Sequence, residues 1–451
     1  MDAAPPGIVE PERPQQLRRL LGVGFGLAVI VGSTIGIGIL RTPGLVAAQL
    51  SRPTAILAVW LAGGLYTLLG AICLTELGTM LPRAGGYYVY ARRAFGDGVG
   101  FAVGWTDWLT YCAVLGYVSI GIGEFSAVLI PALAGLERPL AIAALVGIVA
   151  LQWAGLRISS RFQEWTTAVK FLAFLALGVA ALTLATRWTP AAESGTPSAS
   201  FTGLILALQA VGITYGGWQS ALYFTEEDRD PTRNLPRSMI GGVLAVIVVY
   251  LLVNLALLVI LPLDDIAASM LPAADAAARV AGPGGRQLIT ALSLLSLLPL
   301  LNAILMIGTR ILFALGRDGL FWSSTSQVNA GGTPGVATAV TTAIAVTLIA
   351  TGTFQKLIAM ASFFLAANYC VSCLALVVLR RREPTLSRPF RAWGYPWSAG
   401  LVVLGAVAFL VGALAGDTLN AVEALGLLAL GLVGRALFSR VRSRNSSGNP
   451  P

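Results

Sequence analysis

Apolar residues fall in long blocks along most of the chain, and short polar stretches separate these blocks. Many blocks reach the roughly 18–20 residues that an α-helix needs to cross a bilayer. The pattern therefore predicts an all-α membrane protein with twelve transmembrane helices. The predicted spans lie at approximately residues 20–47, 54–78, 97–130, 138–156, 159–186, 201–226, 238–261, 286–315, 334–352, 356–379, 397–414 and 418–438.

The two ends of the chain differ from the rest. Residues 1–17 and 441–451 are rich in Pro, Gln, Arg, Ser and Asn. Segments of this kind have too few apolar side chains to build a core. We expect both to be disordered cytoplasmic tails.

Composition agrees with this hydrophobic pattern. Of 451 residues, 56% are hydrophobic and 11% are charged, and the mean hydropathy is +0.78. A soluble domain usually contains about 25% charged residues. We therefore expect the lipid bilayer to surround most of the chain.

Basic residues are distributed unevenly between the two sides of the membrane. With the N-terminus assigned to the cytoplasm, the cytoplasmic side holds 22 of the 30 Lys and Arg residues, the exterior loops hold seven, and Lys170 lies inside a span. Because positive residues accumulate in cytoplasmic segments, both termini are predicted to face the cytoplasm of a plasma or inner membrane. The net charge of +9 is thus explained by topology, and no nucleic-acid partner is expected.

Residues typical of catalytic and metal sites are scarce. The chain has no histidine, and its predicted spans contain neither paired carboxylates nor a nucleophile with a base. All four cysteines lie within spans and are interpreted as small packing residues. We expect no enzyme activity, no metal site and no cofactor.

Glycine interrupts two of the predicted spans. The first contains "VGSTIGIGILRTPG" at residues 31–44, and the sixth contains "VGITYGGWQSALYFTEE" at residues 211–227. Each glycine costs about 1 kcal/mol relative to alanine within a helix, so both segments are weak as continuous helices. In the first span alone, the Gly-x-x-x-Gly spacing is equally compatible with close helix packing. The matching interruption in the sixth span favours a binding site near the membrane midplane.

The spacing of the two interruptions also predicts a domain organisation. They lie five helices apart, so each repeat has an odd number of helices and the two repeats run in opposite orientations. The predicted units are a first five-helix repeat at 18–190, a second, inverted repeat at 198–382, and helices 11 and 12 at 395–438.

A helix that breaks inside the membrane exposes backbone groups that only a cavity tolerates. The outer half of span 1 begins near Gly36, where its free N–H groups and positive dipole end would attract a carboxylate. The inner half ends near Ser33 and Thr34, where free carbonyls would accept hydrogen bonds from an ammonium group. An amino acid carries these two groups one carbon apart, so the break predicts an amino-acid site.

Four motifs, in order along the chain, also carry a family resemblance. They are "GSTIGIGILRTPG" in span 1, "ELGTMLPRAGGYYVYARRAFGD" after span 2, "TYGGWQSALYFTEEDRDPTRNLPRSM" in spans 6 and 7, and "TRILFALGRDGL" after span 8. Together they resemble the amino acid–polyamine–organocation superfamily, above all its L-type amino acid transporter branch. The resemblance implies a leucine-transporter-type 5+5 inverted repeat with two extra C-terminal helices, in which spans 1 and 6 are discontinuous.

The same resemblance implies which residues bind the substrate. They are the backbone N–H groups of Gly36, Ile37 and Gly38 for the carboxylate, the carbonyls of Thr34, Ile213 and Gly216 for the ammonium, and further Gly217, Trp218, Gln219 and Tyr117. The sequence departs from the family pattern at Ile37, which replaces the usual Ser or Thr. It also departs at Ile213, where many relatives place an aromatic gate over the substrate.

Lys170 lies well inside span 5, about ten residues beyond Arg161. A lysine at this depth is functional by default, with snorkelling to the interface as the alternative. The resemblance implies that its amine takes the place that sodium occupies in sodium-coupled relatives. There it would bridge carbonyls of span 1 and polar groups of span 8 such as Ser293 or Ser296. Two outcomes stay open: Lys170 titrates and couples transport to protons, or it stays charged as a fixed tether.

Acidic residues near the cytoplasmic side receive a plainer interpretation. Glu76 at the end of span 2 and the loop "EEDRDPTRN" are interpreted as structural or gating elements. The mixed charges of the loop are typical of a solvated surface.

These observations together predict a permease for neutral L-amino acids that works by alternating access, as a proton symporter or an amino-acid exchanger. Spans 1 and 6 contain no carboxylate that could neutralise a cationic side chain, which disfavours a polyamine or cationic amino-acid permease. A non-transporting sensor on the same fold is a further alternative, although a soluble signalling domain would then be expected. The exterior loop between spans 3 and 4 has no cysteine, so no disulfide-linked heavy chain is expected.

Overall fold

The computed structural model describes residues 17–184, 200–416 and 418–447. Within these ranges the chain is helical, and the one β-type pairing is an isolated bridge between Leu21 and Asp228. A 3-10 helix, Trp218–Phe224, follows α8 in the chain. The α-helices are α1 (Val23–Thr34), α2 (Ile37–Ala47), α3 (Pro53–Met80), α4 (Tyr87–Phe95), α5 (Asp97–Leu129), α6 (Glu137–Trp153), α7 (Leu156–Leu184), α8 (Phe201–Thr214), α9 (Pro231–Ile260), α10 (Leu263–Ala268), α11 (Pro272–Arg317), α12 (Gly335–Thr351), α13 (Phe354–Arg382), α14 (Trp397–Gly416) and α15 (Thr418–Ser447).

Eight segments of the described chain are long and apolar enough to cross a membrane. They are Pro53–Met80, Asp97–Leu129, Phe201–Phe224, Pro231–Ile260, Pro272–Arg317, Lys356–Arg382, Trp397–Ala415 and Thr418–Ala436. The bent pair α1 and α2 adds a ninth when it is taken as one span. The chain is therefore a multi-pass membrane protein.

The three other predicted spans coincide with α6, α7 and α12. Helices α6 and α12 have 17 residues each, and α7 has 29. All three occur at the expected places in the order of elements. Twelve crossings remain a prediction at this point.

Proline and polar caps determine where several helices begin. Pro53 and Pro231 occupy the first turns of α3 and α9, where an N–H group would have no partner inside the helix. Ser200 caps α8, because its hydroxyl accepts a hydrogen bond from the Gly203 N–H at 2.9 Å. These starts agree with the predicted spans to within a few residues, except in α9, which begins seven residues before predicted span 7 at 238.

Helix α4 lies in a segment that the hydrophobic pattern leaves between spans 2 and 3. Its nine residues are too few to cross a bilayer. Tyr87, Tyr88 and Tyr90 are nevertheless fully buried, because α4 packs against α5 and α13. Aromatic burial therefore holds this helix against the bundle.

Two other boundaries differ from the prediction. Helix α11 begins before predicted span 8, and a non-helical residue, Gly282, divides it into two helices across a kink. Helix α15 continues to Ser447 and so overlaps residues 441–447 of the predicted tail. Residues 1–16 and 448–451 of the two predicted tails lie outside the described residues.

Helix α5 occupies the centre of the bundle, where it packs against α4, α6, α11, α12 and α13. Helices α14 and α15 lie at the edge and pack mainly against α3, α5 and α13. Leu404 and Leu419 on these two helices are 66% and 72% exposed, as expected of side chains that face lipid. The first interrupted span packs inside the bundle, where α1 contacts α7, α9 and α11, and the last two helices lie at its edge.

Candidate functional site

The first span breaks where its glycines predicted. Helix α1 ends at Thr34, α2 begins at Ile37, and the two segments meet at an angle of 45°. Gly36 is the N-cap of α2 and has no side chain that could satisfy the N–H groups of the first turn. The amino end of α2 is therefore an uncapped set of donors with the positive end of the helix dipole.

The sixth span breaks in the same way. Helix α8 ends at Thr214, and the 3-10 helix begins at Trp218 after Gly217. Gly217 has φ of 115°, a conformation that L side chains rarely adopt. A Cβ atom there would also lie 2.6 Å from the carbonyl oxygen of Ser33, so the position requires glycine for two reasons.

The two breaks lie directly against each other. The hydroxyls of Ser33 and Ser220 are 2.7 Å apart, and Ser33 also donates to the Gly217 carbonyl at 3.3 Å. Tyr250 of α9 joins the other sides of the two breaks, because its hydroxyl contacts the carbonyl oxygens of Thr34 at 2.7 Å and Thr214 at 3.0 Å. Tyr250 was not predicted from the sequence, although its hydroxyl group lies among the mainly apolar side chains of α9.

Gly36 and Gly38 both allow close packing. A Cβ atom on Gly36 would lie 2.8 Å from the Leu300 side chain, and one on Gly38 would lie 2.8 Å from Thr214. Both interpretations of these glycines are therefore compatible with the geometry: they let helices touch, and they leave the backbone of α2 bare at its amino end. The structure describes only the backbone of Ile37.

The predicted carbonyl groups retain accepting capacity. Thr34 accepts from Tyr250, and Ile213 accepts from the Gly216 N–H at 2.9 Å. A carbonyl oxygen has two lone pairs, so each can accept a further hydrogen bond. These groups could therefore bind an ammonium group without losing their present partners.

Ile213, Trp218, Gln219 and Tyr117 have different surroundings. Ile213 is 36% exposed and lines a cavity of about 360 Å³ between α2, α8, α13, α14 and α15. Trp218 is buried against Gly70 and is not among the residues that line this cavity. Tyr117 is half-buried on α5 and does not line the cavity either.

Gln219 belongs to a buried hydrogen-bond network. Its Oε1 accepts from the Gly217 N–H and from the Tyr369 hydroxyl, each at 3.1 Å. Its Nε2 donates to the Tyr111 hydroxyl at 3.2 Å. The side chain therefore stabilises the break in span 6 from within the protein.

Lys170 is 2% exposed, so its amine lies in the interior and does not reach the interface. Its Nζ donates to the carbonyl oxygens of Gly32 and Ser296, both at 2.9 Å. The bridge joins span 1, beside its break, to span 8. The main-chain oxygen of Ser296 is the acceptor, while its hydroxyl donates to the carbonyl of Ser293.

A buried ion pair lies where the start of span 1 meets the end of span 6. The main-chain oxygen of Glu227 accepts from the N–H groups of Leu20 and Leu21, both at 3.0 Å. Its side chain binds Arg310 through two hydrogen bonds of 3.0 and 3.1 Å. Burial raises the pKa of the Glu227 carboxyl, against the opposite influence of Arg310.

The interpretation of these acidic residues as a solvated cluster is therefore wrong for Glu227, whose side chain is fully buried. The pattern of alternating signs did not reveal that α11 supplies a cation from another part of the chain. Glu76 is likewise fully buried and binds Arg380, Arg388 and the N–H of Ala392.

The chain is similar to known proteins over most of its length. A family model described as "Amino acid permease" matches residues 26–427. The chain belongs to this family. The resemblance to the amino acid–polyamine–organocation superfamily is thereby confirmed.

Curated relatives agree with this assignment. The serine/threonine exchanger SteT of Bacillus subtilis is 28% identical over 96% of this chain and 98% of its own length. The human b(0,+)-type amino acid transporter 1 is 28% identical over 83% of this chain and 79% of its own length. The mouse Asc-type amino acid transporter 1 is 29% identical over 83% of this chain and 73% of its own length. All three are transporters, and this chain is an amino acid permease.

Proposed function

We propose that the protein moves neutral L-amino acids across the cell membrane by alternating access, with the substrate bound between the two helix breaks. The observation that carries this proposal is the contact between the breaks, where the uncapped amino end of α2 lies beside the carbonyl end of α1. The substrate carboxylate would accept from the N–H groups of Gly36, Ile37 and Gly38. The ammonium would donate to the carbonyls of Thr34, Ile213 and Gly216.

The preference for neutral side chains rests on the cavity beside Ile213. Its lining is mostly apolar, with Leu45, Ile358 and Phe363 among the contributors, and contains no charged residue. The name of the Bacillus subtilis relative, a serine/threonine exchanger, supports small neutral substrates and an exchange mode. Proton symport is the other mode that we consider.

The architecture that we propose is the 5+5 inverted repeat with units 18–190 and 198–382, followed by helices 11 and 12 at 395–438. The order of the helices and the matching breaks in the first and sixth spans support it. Helices α6, α7 and α12 would then cross the membrane, and both termini would face the cytoplasm. Spans 1, 2, 6 and 7 would move as a bundle against spans 3, 4, 5 and 8.

Lys170 would act as a fixed tether. Two main-chain carbonyls at 2.9 Å stabilise an ammonium group, as they would a metal cation. The bridge would hold span 1 to the spans against which the bundle moves.

Counterflow in proteoliposomes tests the proposed function. Vesicles loaded with an unlabelled amino acid would accumulate the same labelled amino acid from outside, and protein-free vesicles would not. We expect saturable counterflow with serine, threonine, alanine or leucine and none with lysine, arginine or putrescine. Counterflow with only the cationic compounds would identify a cationic permease, and specific binding without counterflow would identify a sensor.

A further inference from the structure

Asp107 is a carboxylate that lies inside the protein without a cation. It is on α5, and its side chain is 0% exposed. Among the described residues, no lysine or arginine forms an ion pair with it. An isolated carboxylate in an apolar interior is costly as an anion and is normally neutralised by a proton.

Tyrosines surround Asp107. The Tyr223 hydroxyl donates to Oδ2 at 2.8 Å, while Oδ1 has no hydrogen-bond partner among the residues that the structure describes. The other titratable groups that face the carboxylate are Tyr87 of α4, Tyr111 of α5 and Tyr369 of α13. None of these carries a charge at neutral pH.

Buried arginines of the neighbouring helices already have partners. Arg310 of α11 binds Glu227, and Arg380 of α13 binds Glu76. In the described parts of α6, α12 and α15, no charged group is linked to Asp107. Within the described part of the chain, the carboxylate therefore has no protein cation to balance it.

This site is connected to the break in span 6. Tyr223 belongs to the 3-10 helix that follows Gly217, so this donor to Asp107 lies on the moving side of the proposed mechanism. Tyr111 packs edge-on against Tyr223 and accepts from Gln219, which in turn binds the Gly217 N–H. A change of charge on Asp107 thus acts on the segment that would bind substrate.

We propose that Asp107 is a proton-binding site that couples transport to the proton gradient. The proposal rests on the proposed transport function and deepens it. The proton adds to Oδ1 from water on one side of the membrane and leaves to water on the other side as the bundle moves. A proton needs no cavity, which fits tyrosine rings packed at centroid distances between 5.4 and 5.9 Å.

Proton movement during amino-acid uptake tests the site. Proteoliposomes containing a pH-sensitive dye report acidification of the lumen as substrate enters. We expect wild type to acidify the lumen, Asp107→Asn to lose this signal, and the exposed control Asp264→Asn to keep it. The absence of proton movement in wild type, or an unchanged signal in Asp107→Asn, would overturn the proposal.

Tyr223→Phe provides a second variant in case Asp107→Asn does not fold. It removes the hydrogen bond from the Tyr223 hydroxyl to the carboxylate and keeps the ring. Because that bond favours the anion, the midpoint of the pH profile of transport should move to higher pH by about one unit. An unchanged midpoint would contradict a proton site at Asp107.

Infrared difference spectra of the purified protein separate this proposal from the proposed function. A carboxylic-acid band that appears on acidification in wild type and is absent from Asp107→Asn supports the site, whether or not any amino acid gives counterflow. If counterflow proceeds but wild type and Asp107→Asn give the same band, the proton site fails and the transporter stands.

Discussion

The amine of Lys170 donates a hydrogen bond to the carbonyl oxygen of Gly32 at 2.9 Å, two residues before the end of α1. The same amine binds the carbonyl of Ser296 on α11. One side chain therefore holds the broken span to a helix of the opposite half of the chain.

We expect Lys170→Ala to reduce counterflow about tenfold or more while the protein still inserts into the membrane. The change removes the hydrogen bonds from a charged amine to the carbonyls of Gly32 and Ser296, worth about 1.5–3 kcal/mol each, and 1.4 kcal/mol corresponds to a factor of ten. Lys356→Ala is the matched control, because its side chain is 53% exposed in the first turn of α13. Full counterflow by Lys170→Ala at every pH would reject a functional lysine.

Gly38→Val should abolish substrate binding. A Cβ atom at this position already approaches Thr214 to 2.8 Å, so the branched side chain would displace α2 from α8 and cover the N–H groups of its first turn. Equilibrium binding of the substrate found by counterflow measures the effect. Gly212→Ala is the control, since its Cβ would meet nothing within 4 Å. If Gly38→Val bound the substrate with wild-type affinity, the ligand would lie elsewhere.

Tyr250→Phe should weaken substrate binding about tenfold. The variant keeps the ring that packs against Trp60 and Tyr215, but it removes the hydroxyl that contacts Thr34 and Thr214. The hydroxyl proton that these two buried carbonyls share is then lost, which loosens the alignment of the two spans. The same binding assay measures the loss. Wild-type affinity in this variant would show that Tyr250 has no part in aligning the breaks.

Glu227→Gln should destabilise the folded protein by about 3–5 kcal/mol, because it leaves Arg310 buried without an anion. Thermal unfolding in detergent measures the change. The control is Glu423→Gln, which removes an exposed partner of Lys356 and should cost about 0–1 kcal/mol. Equal unfolding temperatures for the two variants would mean that the buried pair does not stabilise the ends of these two spans.

Local sequence patterns were sufficient to predict the helix breaks in the first and sixth spans. Glycine is a weak helix former wherever it occurs, so the interruptions near Gly36 and Gly217 could be predicted without tertiary information. Lys170 could be identified as a buried group for a similar reason, because a lone cation in an apolar run is conspicuous.

Contacts between distant segments could not be predicted in this way. Asp107 lies in a mainly apolar span. Only the packing of α4, α5 and α13 around it shows that none of the described residues places a cation near it. Gln219 stays a predicted substrate residue, and the sequence did not show that Tyr111 and Tyr369 bind its side chain from other helices. The identity of such partners depends on how the helices assemble, which periodicity along one helix does not encode.

The most direct test of the account is an experimental structure of the protein with its best counterflow substrate bound. We predict that the substrate carboxylate lies within about 3 Å of the N–H groups at Gly36 to Gly38. Its ammonium should lie at similar distances from the carbonyls of Thr34 and Ile213. A substrate bound with both groups away from the two breaks, or on continuous first and sixth spans, would contradict the central claim.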